Sequence, residues 1–199
     1  MVLLCAWLPS IYWQEEIPRR DFFNRSAENC FISYCQPTHL VMSRICLFPG
    51  TFDPVTLGHV DIINRALPLF DKIYVGIGIN ASKSPMFTAE QRMEWVKEIY
   101  ANEPRVESVV YEGLTIHYCQ MIGARFILRG IRYVSDFEYE KTIADANRTL
   151  DYNIETIFLT GEPKYTSVAS TIVRDIIRNG GDATPFLPDV VARSVKSMN

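Results

Sequence analysis

No apolar run in this sequence approaches the ~20 residues of a transmembrane helix, so a helical membrane span is excluded. Positive charge is not in surplus either. Lysine and arginine number 20 against 23 aspartate and glutamate, a net charge of −3, which argues against a general nucleic-acid-binding face or a polybasic membrane anchor. Cysteine is scarce and odd in number: Cys5, Cys30, Cys35, Cys46 and Cys119. The apolar opening Met1–Leu8 has no basic residue before it and stops at Pro9, so it makes a poor secretory signal. An odd thiol count without such a signal does not build a disulfide scaffold, and a cytoplasmic location is expected. Cys30, Cys35 and His39 lie close together but lack a fourth zinc ligand, and they are read as unrelated. Internal repeats and low-complexity tracts are missing. So is any G-x-x-x-x-G-K-[ST] string after an apolar run, which excludes a P-loop nucleotide site.

What is present suffices for a core: 48% of the 199 residues are hydrophobic and 22% charged, the balance of a globular domain. Residues 1–41 stand apart. They scatter Trp7, Trp13, Phe22, Phe31 and other aromatics among Pro9, Pro18 and Pro37, with neither a helical nor a strand period. This segment is read as a poorly ordered N-terminal extension, and residues 42–199 as the folded domain. From residue 44 short apolar runs alternate with amphipathic stretches, the pattern of a parallel sheet with crossover helices. Strands are predicted at about 44–48, 72–79, 106–111, 126–128 and 155–159. Helices are predicted from about Leu57 to Pro68, from Thr88 to Tyr100 and from Thr115 to Gly123. Others run from Ser135 to Leu150, over 169–179, and from Pro188 onward. Thr88 with Gln91, and Ser135 with Glu138, have the spacing of capping boxes. The expectation is an α/β fold, a doubly wound five-stranded parallel sheet. Its ligand site should lie beyond the carboxyl ends of the strands, where the strand order switches.

Three stretches carry polar residues there. The first, Pro49-Gly50-Thr51-Phe52-Asp53-Pro54-Val55-Thr56-Leu57-Gly58-His59, runs from strand to helix. Its glycine admits a ligand close to the backbone, and Gly58-His59 sits at a helix start, where free N–H groups and the dipole favour an anion. The second is the cation set Lys83, Arg129 and Arg132. Any one alone reads as a solvated charge, but Arg129 continues an apolar strand directly into Gly130, and a guanidinium fork suits phosphate. The third, Tyr165-Thr166-Ser167-Val168-Ala169-Ser170-Thr171, offers hydroxyls and amides at another helix start. Read blandly, Ser167 or Ser170 is a plain N-cap. Two decoys are set aside. Gly76-Ile77-Gly78-Ile79-Asn80-Ala81 imitates a dinucleotide fingerprint but lies inside a predicted strand. His117 and Cys119 point to different sides of a helix and cannot share a metal.

The string PGTFDPVTLGH, ending in T-x-G-H, resembles the signature of the nucleotidylyltransferase superfamily. With Ser82-Lys83-Ser84-Pro85-Met86-Phe87-Thr88, Arg129-Gly130-Ile131-Arg132 and Asp136-Phe137-Glu138-Tyr139-Glu140, the chain from about residue 44 to 198 resembles the bacterial phosphopantetheine adenylyltransferases. That resemblance implies a Rossmann-like nucleotidylyltransferase fold and transfer of the adenylyl group of ATP to 4′-phosphopantetheine, giving dephospho-coenzyme A and pyrophosphate. It implies that His59 and Thr51 meet the nucleotide phosphates beside Phe52, and that Lys83 and Arg129 hold the substrate phosphate. Gly130, Ile131, Arg132 and Glu140 would contact ATP, as would Tyr165, Thr166, Ser167, Val168, Ala169, Ser170 and Thr171. Thr115 would meet the pantetheine arm. The family usually has W-S-x-I-S-S-S/T in the third stretch, so Tyr165 and Ala169 are departures, and one hydroxyl is missing. Mg²⁺ would be held largely by substrate phosphates and water, with no dedicated carboxylate cluster and Asp53 a minor candidate. The resemblance implies a homohexamer; inhibition by coenzyme A is a candidate that the sequence leaves open. Two other readings stay open: a nucleotidylyltransferase for another acceptor such as nicotinamide mononucleotide, and a non-catalytic nucleotide or coenzyme A sensor.

Overall fold

The computed structural model describes residues 43–79 and 84–197; the N-terminal extension, its Cys30–Cys35–His39 group and Lys83 lie outside the described residues. Five parallel strands form one sheet: β1 (Ile45–Gly50), β2 (Lys72–Ile79), β3 (Val106–Glu112), β4 (Phe126–Ile131) and β5 (Glu155–Thr160). Their order is β3-β2-β1-β4-β5. The chain therefore winds outward from β1 to one edge, then returns to the other side of β1 for β4. β1 pairs with β2 along its whole length, from Ile45 opposite Lys72 to Gly50 opposite Ile77. With β4 it pairs only at Cys46–Phe126 and Leu47–Ile127. Beyond those residues the two strands part, and a crevice opens at the switch in strand order, where doubly wound sheets bind ligands.

Alternation along β1 divides the core. Cys46 and Phe48 face a large cluster that includes Ile62, Ile63, Val75, Ile77, Trp95, Val173 and Val191. These side chains come from the sheet and from α1 (Leu57–Ala66), α2 (Ala89–Ile99), α5 (Ser170–Arg178) and α6 (Asp189–Lys196). Leu47 faces a smaller cluster with Ile116, Cys119, Ile127 and Ile154, closed by α3 (Thr115–Ile122). The last helix, α4 (Val134–Leu150), also lies beside β4 and β5, yet none of its 17 residues is buried.

Local signals set most boundaries. The Thr88 hydroxyl accepts from Gln91 N at 3.2 Å and the Gln91 amide oxygen accepts from Thr88 N at 3.0 Å, completing the capping box that opens α2. α3 stops at Gly123, whose φ of 69° suits glycine, and Ala124 N bonds back to Cys119 O at 2.9 Å. The Ser135–Glu138 capping box does not form. α4 begins one residue earlier, and Asp136 accepts from Arg132 N at 3.1 Å and Tyr133 N at 3.4 Å. Asp136 carries its acceptor on a short side chain in the first turn, within reach of the amides just ahead of the helix, so Ser135 falls inside the helix instead of capping it. Pro188 stands at the N-cap of α6 rather than in its first turn.

Candidate active site

The loop after β1 turns sharply. Phe52 adopts φ 49°, a left-handed conformation that side chains resist and tertiary packing must hold. Its ring is buried edge-on against Phe48, with centroids 5.4 Å apart, and against His59 at 4.9 Å. Gly50 is required beneath it, since a Cβ there would come within 2.9 Å of the Phe52 ring. A cis Asp53–Pro54 peptide follows, and Thr56 caps α1.

That cap decides the state of His59. Thr56 N donates to His59 Nδ1 at 3.1 Å, and a backbone N–H can only donate. Nδ1 is therefore the acceptor, and the ring proton of the neutral imidazole sits on Nε2. Burial, reinforced by the positive fields of Arg132 and Arg129, lowers the His59 pKa to about 4. Near neutral pH, His59 is an uncharged N–H donor held in one orientation.

Two clefts meet beside this loop. The first, of about 280 Å³, is lined by Thr51, Phe52, His59, Arg129, Gly130, Ile131, Arg132, Tyr165, Val168, Ala169, Ser170 and Thr171, among others. The second, of about 510 Å³, is lined by Tyr111, Thr115, Ile143 and Ala144 and includes Glu140. Pro49, Gly50, Thr51 and Arg129 line both. Most of the residues expected at the nucleotide thus surround one cleft, with Thr115 in the other. Thr166 and Ser167 line neither, and Glu140, expected at the nucleotide, lines the second cleft instead.

Arg129 is not a free fork. Its Nε donates to Glu140 at 2.7 Å, Nη2 donates to the other carboxylate oxygen, and Nη1 donates to Pro49 O at 2.6 Å. The pair fixes the guanidinium plane at the shared wall, and one N–H on each of Nη1 and Nη2 is left for an anion. Arg132 pairs with Asp136 at 3.3 Å. At the third stretch neither Ser167 nor Ser170 caps α5. The N-cap is Ala169, while Ser170 Oγ donates to Pro54 O at 2.9 Å and ties the two loops together. The first-turn amides of α5 remain at the cleft with Ser170 and Thr171.

Some of the machinery escaped sequence reasoning. Asp53 is buried, and its carboxylate accepts from Met86 N at 2.9 Å and Phe87 N at 3.0 Å. Arg174 from α5 donates to Asp53 O at 2.5 Å. Arg92 from α2 donates to Thr51 O at 2.6 Å. A signal existed for Arg92, because it shares a helix stripe with Trp95 and Val96, both buried. Among the described residues no group of three or more His, Cys, Asp and Glu could hold a metal ion. Of the two acids that line the second cleft, Glu112 and Glu140, the latter is paired with Arg129; Asp53 lines neither cleft and accepts from Met86 N and Phe87 N.

The cytidylyltransferase-like family matches residues 47–176. Phosphopantetheine adenylyltransferase of Flavobacterium psychrophilum is 53% identical over 148 residues, which cover 74% of this chain and 97% of that protein. The Phocaeicola vulgatus protein of the same name is 51% identical over 146 residues, 73% and 96% of the two chains. That of Bacteroides thetaiotaomicron is 49% identical over 146 residues with the same coverage. The chain belongs to the phosphopantetheine adenylyltransferase family. Like a member of that family, it carries T-x-G-H at the start of its first helix, and its polar loops gather at the switch in strand order. The decoys resolve accordingly. Gly76 and Gly78 lie inside β2, and a Cβ on Gly76 would meet Leu47 at 2.8 Å and Tyr111 at 3.0 Å, so packing accounts for that glycine. His117 is exposed while Cys119 is buried, so they lie on different sides of α3. No helix among the described residues is long and apolar enough to cross a membrane.

Proposed function

We propose that the first cleft takes ATP and the second 4′-phosphopantetheine, and that the enzyme joins them as dephospho-coenzyme A with release of pyrophosphate. The carrying observation is the common wall: Pro49, Gly50, Thr51 and Arg129 belong to both clefts, so phosphates bound on either side meet there. An oxygen of the substrate phosphate attacks the α-phosphorus of ATP in line. A new P–O bond forms, the bond from the α-phosphorus to the bridging oxygen breaks, and pyrophosphate leaves with that electron pair. A phosphate monoester is already nucleophilic near neutral pH, so the protein need only position the anions and stabilise charge.

Each residue then has a task. His59 donates its Nε2–H to an α-phosphate oxygen as charge grows there, and Thr51 adds a second donor. Arg129, its guanidinium plane fixed by Glu140, offers its remaining N–H groups to the phosphopantetheine phosphate, and the family resemblance gives Lys83 as a second cation for that phosphate. The start of α5 at Ser170 and Thr171 receives the distal phosphates. Mg²⁺, the expected cofactor, would neutralise the charge of the triphosphate and would be held largely by substrate phosphates and water.

The same reading extends to assembly and control. A helix of 17 residues with none buried, exposing Val134 at 76% and Tyr139 at 69%, supports burial of α4 against further copies, in the hexamer that the family implies. Coenzyme A carries both the adenosine and the pantetheine parts, so it would compete for both clefts. A reaction that consumes ATP suits the cytoplasm.

Pyrophosphate release in the presence of ATP and Mg²⁺, measured with 4′-phosphopantetheine and with nicotinamide mononucleotide, tests the assignment. Turnover with the first and background with the second is expected. The reverse preference would assign another acceptor. Nucleotide binding without any pyrophosphate release would favour a sensor.

A further inference from the structure

Beneath the shared wall lies a charge that the chemistry above does not use. Among the described residues only Asp53, Thr56 and Arg92 are both polar and buried; the first two belong to the Thr51–His59 loop and the third bonds to it from α2. Arg92 Nη1 donates to Thr51 O at 2.6 Å and its Nε to Thr88 O at 3.1 Å. One rigid guanidinium thus clamps the start of α2 to the turn that carries Thr51. Asp53 and Glu90 are the acids whose fields act on Arg92, Asp53 the more strongly. The Asp53 carboxylate also serves Met86 N and Phe87 N and lies 3.5 Å from Arg174, so Arg92 has only a share of it.

The Thr51 carbonyl belongs to the peptide that leads into Phe52, the residue at φ 49°. The direction of that oxygen therefore sets how Thr51 faces the two clefts. Turned inward to Arg92, it keeps a carbonyl lone pair away from the anions and leaves the other side of Thr51 at the wall. We propose that Arg92 is a positioning residue for adenylyl transfer, acting through Thr51. This rests on the reading of Thr51 as a phosphate donor. Arg92 itself touches no substrate.

The test is a mutant cycle read by pyrophosphate release per folded molecule, with melting temperature measured alongside. Arg92→Gln should lower kcat about 30-fold, in line with the cost of a small misplacement at a reacting centre, while KM for ATP changes less than about threefold. Arg92→Lys keeps the buried cation and should restore most of the turnover, to within about fivefold of the parent. Arg92→Gln placed on Thr51→Ala should cost no more than about threefold beyond Thr51→Ala alone, because the residue acted upon is already gone. Losses that multiply would overturn the proposal. So would parallel declines in melting temperature with turnover per folded molecule unchanged, or failure of both single variants to fold, since Arg92 would then serve the fold alone. An unsubstituted protein that releases no pyrophosphate would contradict the functional reading, and the inference with it. An active protein indifferent to Arg92 would contradict the inference alone.

Discussion

The Thr51–His59 loop and α4 both bring a residue to the place where the two clefts meet, and they are built in opposite ways. At the loop Asp53, Thr56 and Arg92 are buried: Asp53 accepts from the two amides before α2, Thr56 N donates to His59, and Arg92 of α2 donates to the Thr51 carbonyl. α4 has no buried residue, and it reaches the junction through Glu140 paired with Arg129. The loop proposed to handle the reacting phosphorus is fixed from within its own fold, whereas the helix proposed to lie behind the acceptor phosphate has little of its own to rest on. Transition-state donors need preset geometry. A substrate-binding helix tolerates, and in an assembly can share, its support.

Substitutions at the two walls should therefore differ in kind. The largest effect is expected at His59. His59→Ala should lower turnover about 10²–10³-fold, the usual loss of one transition-state donor, with an unchanged circular dichroism spectrum. Retention of more than about a third of the activity would remove His59 from the chemistry. Next, Arg129→Ala should raise KM for 4′-phosphopantetheine about 30-fold, or roughly 2 kcal/mol, and that for ATP far less. An effect confined to ATP would exchange the two clefts.

Stability should follow the same division. Asp53→Asn leaves one of two backbone N–H groups without its acceptor and should cost about 1–3 kcal/mol in a denaturant titration. Val134→Ser, on the bare face of α4, should stay within about 0.5 kcal/mol in the isolated chain. Equal losses would erase the contrast. Acid adds a test of the loop. The folded pKa of His59, about 4, lies below its ordinary 6.5, so the unfolded chain takes up the proton first. Stability should be whole above the ordinary value and fall as the pH drops through that window; His59→Asn should flatten the fall. One expected effect is a gain. Ala169→Ser supplies the missing N-cap of α5 and should add about 1 kcal/mol.

The sheet was readable because its strands are continuous apolar runs and its helices carry caps, stops and 3.6-residue stripes. The positions of Thr51, His59 and Arg129 followed, since strand ends at a switch in order converge whatever the side chains are. The failures have two causes: a competing local cap, and partners on other elements. The Ser135–Glu138 box matched a pattern that Asp136 satisfied one turn position away, and Ser170 was a candidate cap whose hydroxyl crosses to Pro54 instead. Local spacing is blind to partners on other elements. Arg92, Arg174 and the role of Asp53 were hidden for the same reason: their bonds span 41, 121 and 33 residues. Lys83 lies outside the described residues, and its part rests on the family resemblance.

The central claim is direct transfer between phosphates meeting at one wall, with no adenylyl group ever attached to the protein. The stereochemical course at the α-phosphorus tests it most directly. With ATP chiral at that phosphorus through a single sulfur substitution, one in-line displacement predicts a phosphorothioate analogue of dephospho-coenzyme A with inverted configuration at that phosphorus. Retention would require two displacements through a protein-bound intermediate and would contradict the account.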